Sequence, residues 1–106
     1  MGYMVHHTIV VTAYKGDIEK AHEKAVEIFG NQVSSLVASK INCYQSFFVA
    51  PDGSKLGWSD SDEGDENRNT FVEWLKSQDD FYIDWVEVQY GDDEGYTKII
   101  RDSDHP

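Results

Sequence analysis

A strand pattern followed directly by a helix pattern limits this chain to folds that mix sheet and helix. Val5–Tyr14 is rich in β-branched residues and has apolar positions in both alternating registers, which is typical of a central strand. Ile18–Phe29 repeats apolar residues with helical spacing, and Gly16 and Gly30 bound it as break and stop signals. Asp17 is expected to cap this helix through its carboxylate.

The rest of the chain continues to alternate between strand and helix patterns. Residues 31–42 mix apolar and polar positions without a clear period, which predicts a packed loop with at most one helical turn. The elements predicted after it are a strand at Cys43–Ala50, a turn at Pro51–Ser54, a short returning strand at Lys55–Ser59, a helix from Asp65 to Ser77, and strands at Phe81–Tyr90 and Tyr96–Arg101.

This order predicts an α+β fold of the ferredoxin-like type, β-α-β-β-α-β with an extra C-terminal strand. An antiparallel sheet with two helices on one face would bury the apolar stripes of the helices. It would leave aromatic side chains on the other face in contact with water or a partner. The length of 106 residues and the hydrophobic fraction of 40% suit a single domain over residues 1–106.

The net charge of −11 lies entirely in the second half of the chain. Residues 1–51 carry four acids and four bases, whereas residues 52–106 carry sixteen acids and five bases. Nucleic-acid binding depends on cationic side chains that displace counterions, so this balance argues against direct DNA or RNA binding. It favours a basic protein partner, including one whose usual ligand is nucleic acid. Solubility alone is the competing explanation for the charge.

Neither a membrane segment nor a disulfide is expected. No apolar run approaches the ~20 residues of a membrane-spanning helix, and Met1–Val11 lacks the features of a signal peptide. The one cysteine, Cys43, cannot form an internal disulfide and is predicted to be a half-buried thiol in its strand. These features together predict a cytoplasmic protein without membrane contact.

The acidic run that begins at Asp60 does not match a calcium-binding loop. If Asp60 took the first position of an EF-hand loop, Asp65 would replace the required glycine and Phe71 the required glutamate. His6 and His7 are adjacent in a strand, so they point to opposite faces and cannot easily chelate one ion. The sequence has no zinc spacing, phosphate-binding loop or nucleophile motif, so no catalytic residue, metal or cofactor is predicted.

Binding has a stronger case in the sequence than catalysis. Acidic residues gather at positions 60–66, 79–84 and 92–94, with aromatic residues between them. An aromatic anchor ringed by acids is typical of a site for an arginine- or lysine-rich partner. The candidate partner-binding residues are Trp58, Asp60, Asp62, Glu63, Asp65 and Glu66. The alternative for Trp58, Trp74 and Trp85 is that they belong to the core, because tryptophan is highly buried on average.

Several short runs carry a resemblance to a known group of proteins. The runs are Phe48–Lys55, Gly57–Trp58, Gly64–Asp65, Phe71 and Glu73–Leu75, with His7–Thr12 and Lys24–Glu27 before them. In these runs the chain resembles small uncharacterised accessory proteins of tailed bacteriophages. The resemblance implies a phage or prophage accessory protein, and therefore the host cytoplasm, but it carries no functional residues.

Three hypotheses follow for the function. The first is a non-catalytic acidic protein that engages a basic protein, one version being a nucleic-acid-mimicking inhibitor. The second is a small dimeric ferredoxin-like enzyme or ligand-binding protein, in which two protomers pair their sheets around a pocket lined by His7, Tyr44 and Trp85. The third is a virion structural or assembly protein that acts through oligomerisation. A homodimer is left open by the sequence.

Overall fold

Five strands and two helices form the part of the chain that the computed structural model describes, which is residues 4–54, 58–78, 82–91 and 97–104. The elements are β1 (His6–Tyr14), α1 (Lys15–Phe29), β2 (Val37–Ala38), β3 (Tyr44–Val49), α2 (Ser59–Lys76), β4 (Ile83–Tyr90) and β5 (Lys98–Asp102), with a 3-10 turn at Gly30–Gln32. The prediction of an α+β fold with an antiparallel sheet and two helices is confirmed.

β1 is the central strand of the sheet, whose order is β2-β3-β1-β4-β5. It pairs antiparallel with β3 and with β4, so that Val10 lies opposite both Phe48 and Val86. β2 and β5 pair antiparallel at the two edges. The apolar residues in both registers of β1 suit this central place, because side chains on both of its faces have cross-strand neighbours on β3 and β4.

Both helices pack on one face of the sheet, which we name the helix face. Ile9, Val11 and Ala13 of β1 are fully buried there. The same core cluster contains Ile18, Ala21 and Ala25 of α1, Phe47 and Val49 of β3, Phe71, Val72 and Leu75 of α2, and Trp85 of β4. The ring of Phe71 ties the layers together, since its centroid lies 5.8 Å from that of Phe29 and 6.5 Å from that of Phe47.

The opposite side, which we name the open sheet face, carries the side chains that alternate with the core residues. Val10 is 39% exposed and Phe48 is 45% exposed on this face. The rings of Tyr14 and Tyr44 stack there with centroids 4.3 Å apart. A hydrogen bond with Tyr14 raises the pKa of the Tyr44 phenol. The predicted aromatic exposure therefore holds for Tyr14 and Phe48, whereas Trp85 is buried on the helix face.

The predicted strand at Lys55–Ser59 is wrong where it can be compared. Trp58 lies in a bend and Ser59 is the first residue of α2, while residues 55–57 lie outside the described part of the chain. The strand beside β3 comes instead from Val37–Ala38, within the segment predicted as a packed loop. The strand at the outer side of β3 therefore precedes β3 in the chain instead of following it, which differs from the predicted assignment.

The helices begin earlier than their sequence signals suggest. α2 starts at Ser59 instead of Asp65, because carboxylates such as those of Asp60 and Asp62 are compatible with the positive end of a helix dipole. α1 starts at Lys15, so Asp17 lies inside its first turn and no side chain caps the helix. Cys43 precedes β3 and is exposed, so the prediction of a half-buried thiol is wrong.

Candidate functional site

A cleft between α2 and the loop after β3 is the candidate site, and we name it the acidic cleft. Its volume is about 310 Å³. Its lining includes Phe29, Asp52, Trp58, Asp60, Glu63 and Asn67. Asp60, Glu63 and Asn67 reach the same cleft because residues three and four positions apart fall on one side of a helix.

Trp58 stands at the entrance to α2 and is 49% exposed. Its backbone is extended, and its carbonyl oxygen accepts hydrogen bonds from the N–H groups of Ser61 at 3.0 Å and Asp62 at 3.3 Å. These two bonds fix the first turn of the helix without a capping side chain. The indole is therefore held beside the carboxylates that follow it, and it is not part of the core.

Asp52 brings a carboxylate to the cleft from the loop after β3. Its Oδ1 accepts the Ser54 backbone N–H at 2.9 Å and the Ser54 hydroxyl at 2.6 Å, while Gly53 takes the left-handed conformation with φ of 81°. Burial alone would raise the pKa of Asp52, but the bonds from Ser54, helped by the charge of Arg68, hold that pKa below its usual value. Asp52 therefore offers a carboxylate at neutral pH.

The six predicted partner-binding residues do not form one group. Trp58, Asp60 and Glu63 line the acidic cleft. Asp62 and Glu66 lie one turn apart on the outer side of α2, and both are exposed. Asp65 is paired with Arg68 three residues further along the helix.

Four carboxylates in the first two turns of α2 have no ion-pair partner within the described residues. Among these residues, Asp60, Asp62, Glu63 and Glu66 make no ion pair with a lysine or arginine, whereas Asp65 pairs with Arg68. Of the other predicted acidic groups, residues 79–80 and 92–94 lie outside the described part of the chain, whereas Asp84 lies in β4 on the open sheet face. The first two turns of α2 therefore present a local excess of negative charge around Trp58.

Behind the cleft lies a buried ionic network that the sequence analysis did not identify. Glu87 of β4 is 3% exposed, and its two carboxylate oxygens face Arg68 at 3.5 Å and Arg101 at 2.6 Å. Arg101 also donates to the side-chain oxygen of Asn69 at 2.9 Å. The network joins α2 to the two strands β4 and β5. Its centre at Glu87 and Arg68 is buried, whereas its Arg101 end reaches the surface.

A sequence signal for this network exists. Glu87 alternates with Val86 and Val88, so it shares the buried side of its strand with Trp85, and Arg68 falls in the apolar stripe of α2. Glu87 lies on the inward face of β4 and Arg68 on the inward face of α2. This placement predicts a buried ion pair, because a single buried charge without a partner costs too much free energy.

His7 lies beside this network on the helix face. Its Nδ1 is buried and has no hydrogen-bond partner among the described residues. Burial lowers the pKa of His7, and the positive charge of Arg68 lowers it further. The imidazole is therefore held neutral, close to charges that already pair with one another.

The pocket predicted from His7, Tyr44 and Trp85 is not formed. His7 and Trp85 belong to the register of β1 and β4 that faces the helices, whereas Tyr44 pairs with Tyr14 on the open sheet face. Because alternate residues of a strand point to opposite sides, two paired sheets could not enclose all three side chains.

His22 of α1 makes contacts that support the fold. Nε2 of His22 lies 2.9 Å from the carbonyl oxygen of Ser34, and its ring packs edge-on against Phe47 with centroids 5.1 Å apart. Within the described ranges, no three histidine, cysteine, aspartate or glutamate side chains are arranged to hold a metal ion. No helix in the described ranges is long and apolar enough to cross a membrane.

Comparison with protein-family models, with curated proteins and with solved structures finds no match to this chain.

Proposed function

We propose that this chain binds a basic segment of another protein, with one arginine or lysine side chain seated in the acidic cleft. The observation that supports it is the joint presence of Trp58, Asp52, Asp60 and Glu63 around one cavity of about 310 Å³. The binding is non-catalytic.

An arginine side chain matches the chemistry of this cleft. Its planar guanidinium can donate two parallel hydrogen bonds to one carboxylate and stack on an indole such as Trp58. A cation over an aromatic face contributes about 0.5–2 kcal/mol, depending on how far water is excluded. Asp52 strengthens the match, because its lowered pKa keeps it ionised at neutral pH, where arginine is also charged.

The carboxylates outside the cleft have a different role in this proposal. Asp62 and Glu66 are exposed on the outer side of α2 and line no part of the cleft. Exposed charges mainly raise the rate of encounter with an oppositely charged partner, and salt screens them. Asp62 and Glu66 therefore attract the basic segment, while Asp60 and Glu63 hold it.

The test is titration of the protein with a short oligo-arginine peptide, followed by calorimetry. The variant with Asp60→Asn and Glu63→Gln removes two charges from the cleft. The control, with Asp62→Asn and Glu66→Gln, removes two charges of the same types from the outer side of the same helix. We expect the cleft variant to weaken binding about tenfold and the control about twofold, and both complexes to weaken with salt.

Equal losses of affinity in the two variants would show that the peptide responds only to the overall negative charge. That result would contradict the acidic cleft as the binding site. Binding that is unchanged at about 1 M salt would contradict the whole proposal, because screening at that ionic strength reaches within about 3 Å.

Inhibition by nucleic-acid mimicry is a narrower version of this function. The support for it is the negative charge of the second half of the chain. It requires competition, so a DNA duplex should displace this protein from a basic DNA-binding protein such as a core histone. A ternary complex with both bound would exclude mimicry and leave the cleft proposal intact. The phage origin inferred from the sequence resemblance stays a prediction.

We also propose that the sheet is a ferredoxin-like arrangement extended by one strand. The support is the order β2-β3-β1-β4 within the sheet, with α1 between β1 and the β2–β3 hairpin and α2 between β3 and β4. In this assignment Val37–Ala38 takes the role that the sequence analysis gave to Lys55–Ser59. An experimental structure with a different partner for β3 would contradict it.

A further inference from the structure

Asp52 has one carboxylate oxygen to spare, and this oxygen lies between the acidic cleft and the ionic network behind it. Its Oδ1 accepts both bonds from Ser54, whereas its Oδ2 accepts no hydrogen bond within the described residues. A Cβ on Gly64 would lie 2.5 Å from this Oδ2 and 3.1 Å from a guanidinium nitrogen of Arg68. The free oxygen therefore lies against the backbone of α2, close to Arg68.

His7 approaches the same place from the sheet. It pairs with Gln89 of β4, and Glu87, two residues earlier in the same register, is its diagonal neighbour on the helix face. β3 ends at Val49, so the loop that carries Asp52 passes the end of β1 where His7 lies. His7 and the cleft are therefore on two sides of the same loop.

Three carboxylates and one arginine act on His7 from the elements packed around it. They are Asp65 and Arg68 of α2, Glu87 of β4 and Asp52 of the loop after β3. Asp65 pairs with Arg68, and Glu87 pairs with two arginines. Within the described ranges, Asp52 is the one carboxylate of the three that makes no ion pair with a lysine or arginine.

A proton on His7 requires a counter-charge. In the neutral imidazole one ring nitrogen carries no hydrogen, and the buried Nδ1 of His7 has no hydrogen-bond partner among the described residues. The imidazolium donates from both nitrogens, and a partly buried positive charge without a partner is costly. Because Glu87 and Asp65 already balance arginines, Asp52 is the counter-charge that remains.

We propose, as a consequence that rests on the binding proposed for the acidic cleft, that a proton on His7 and a cation in the cleft compete for the carboxylate of Asp52. While His7 is neutral, Asp52 is available to the arginine or lysine of the partner. As pH falls, the charge on His7 opposes that cation from the inner side, and the affinity of the cleft decreases. The coupling is reciprocal, so a bound cation weakens proton binding at His7 by the same factor.

An NMR titration of the histidine rings, without any partner, tests whether His7 and Asp52 are coupled. Asp52→Asn removes the charge but keeps an oxygen that can accept the bonds from Ser54. We expect it to lower the proton affinity of His7 at least about twofold. The control, Asp62→Asn on the outer side of α2, should change this affinity less than about 1.3-fold, because salt screens distant exposed charges. Equal effects of the two substitutions would contradict the proposal, since His7 would then respond only to net charge.

The same titration with saturating oligo-arginine peptide tests the competition. We expect the peptide to lower the proton affinity of His7 about threefold. The affinity of His6, whose ring lies beside Tyr90 on the open sheet face, should change less than about 1.3-fold. The two histidines are adjacent in the chain, so they report on the two sides of the sheet in one experiment.

Calorimetry measures the same linkage from the side of the peptide. Titrations in two buffers of different ionisation enthalpy give the protons released on binding. At the pH where His7 is half protonated, a threefold coupling predicts release of about 0.25 proton from the unmodified protein and from His6→Gln. His7→Gln should release less than half of that. Circular dichroism at each pH checks that the variants are folded.

The outcomes separate this inference from the binding on which it rests. A peptide that binds at neutral pH without changing the proton affinity of His7 would overturn the competition and leave the acidic cleft as the binding site. A peptide that does not bind at neutral pH would overturn both.

Discussion

Arg101 donates a hydrogen bond from Nε to Oε1 of Glu87 over 2.6 Å, which ties β5 to a carboxylate that is only 3% exposed. Glu87→Gln would leave Arg68, itself 7% exposed, without this buried counter-charge. We expect a loss of about 2–4 kcal/mol in the free energy of unfolding, measured by urea denaturation.

The control for this loss is Glu73→Gln. Glu73 pairs with Lys76 at 3.9 Å on the exposed side of α2, so its removal should cost less than about 0.5 kcal/mol. Similar losses for the two substitutions would mean that the Glu87 network is not a buried pair.

His7 should make stability fall as pH drops below the ordinary histidine pKa of about 6.5. Burial and Arg68 lower its pKa in the folded protein, so the unfolded chain binds the proton first as pH falls. The stabilisation is complete above the ordinary histidine value of about 6.5 and is lost as pH falls toward the lowered value. Urea denaturation at several pH values should therefore show a smaller slope for His7→Gln than for the unmodified protein.

His6→Gln is the matched control, because His6 is adjacent to His7 but points to the open sheet face, where its ring lies 5.2 Å from that of Tyr90. An equal change of slope in the two variants would show that the burial of His7 is not the cause of the pH dependence. Asp52 contributes to the pH dependence of stability in a separate, more acidic pH range. Its lowered pKa stabilises the fold above about pH 4, and this part is lost only as pH falls further.

Gly64→Ala should stabilise α2 less than its helix propensity suggests. A Cβ at this position would lie 2.5 Å from Oδ2 of Asp52 and 3.1 Å from a guanidinium nitrogen of Arg68. Asp52 must move, which disturbs its bonds to Ser54 and the wall of the acidic cleft. We expect the helix gain of up to about 1 kcal/mol to be offset, and binding of oligo-arginine to weaken.

Gly16→Ala in the first turn of α1 provides the comparison, since a Cβ there would meet nothing within 4 Å. It should raise the free energy of unfolding by about 0.5 kcal/mol. A larger stabilisation from Gly64→Ala than from Gly16→Ala would show that Asp52 is not held against α2.

Phe71→Ala should be the most damaging of the core substitutions to aromatic side chains. The ring is fully buried and contacts Phe29, Phe47 and Trp74. Its removal should cost about 3–5 kcal/mol in chemical denaturation. Phe48→Ala on the open sheet face, where the ring is 45% exposed, should cost less than about 1 kcal/mol in the monomer. Equal costs would contradict the assignment of the two faces.

The type of most helices and strands could be predicted from the sequence, because burial of one side of an element spaces its apolar residues regularly. Ile18, Ala21 and Ala25 fall on one side of α1, and Trp85 and Glu87 share the buried side of β4, as their spacing predicts. The edge strand at Val37–Ala38 was not predictable, because two residues are too few to show a period. Its pairing with β3 is a tertiary property.

The types of residue in the candidate site could be predicted from the sequence, but the set of residues that line it could not. Trp58, Asp60 and Glu63 do share a cleft, yet Asp52 joins them from a loop that is distant in sequence. Because α2 starts at Ser59, Asp62 and Glu66 lie on its outer side. The sequence analysis placed the helix start at Asp65 and therefore did not assign these residues to a face. Pairing of Asp65 with Arg68 depends on the helical register that only the fold establishes.

The central position of β1 has a consequence for synthesis of the protein. β1 leaves the ribosome before the two strands that flank it, and its partner on one side, β4, ends only at Tyr90. Until β4 has emerged, Ile9 and Val11 lack the neighbours that this strand contributes, and the nascent chain cannot close its apolar layer. A ribosome stalled before β4 emerges would therefore carry this domain unfolded, and proteases should digest it readily.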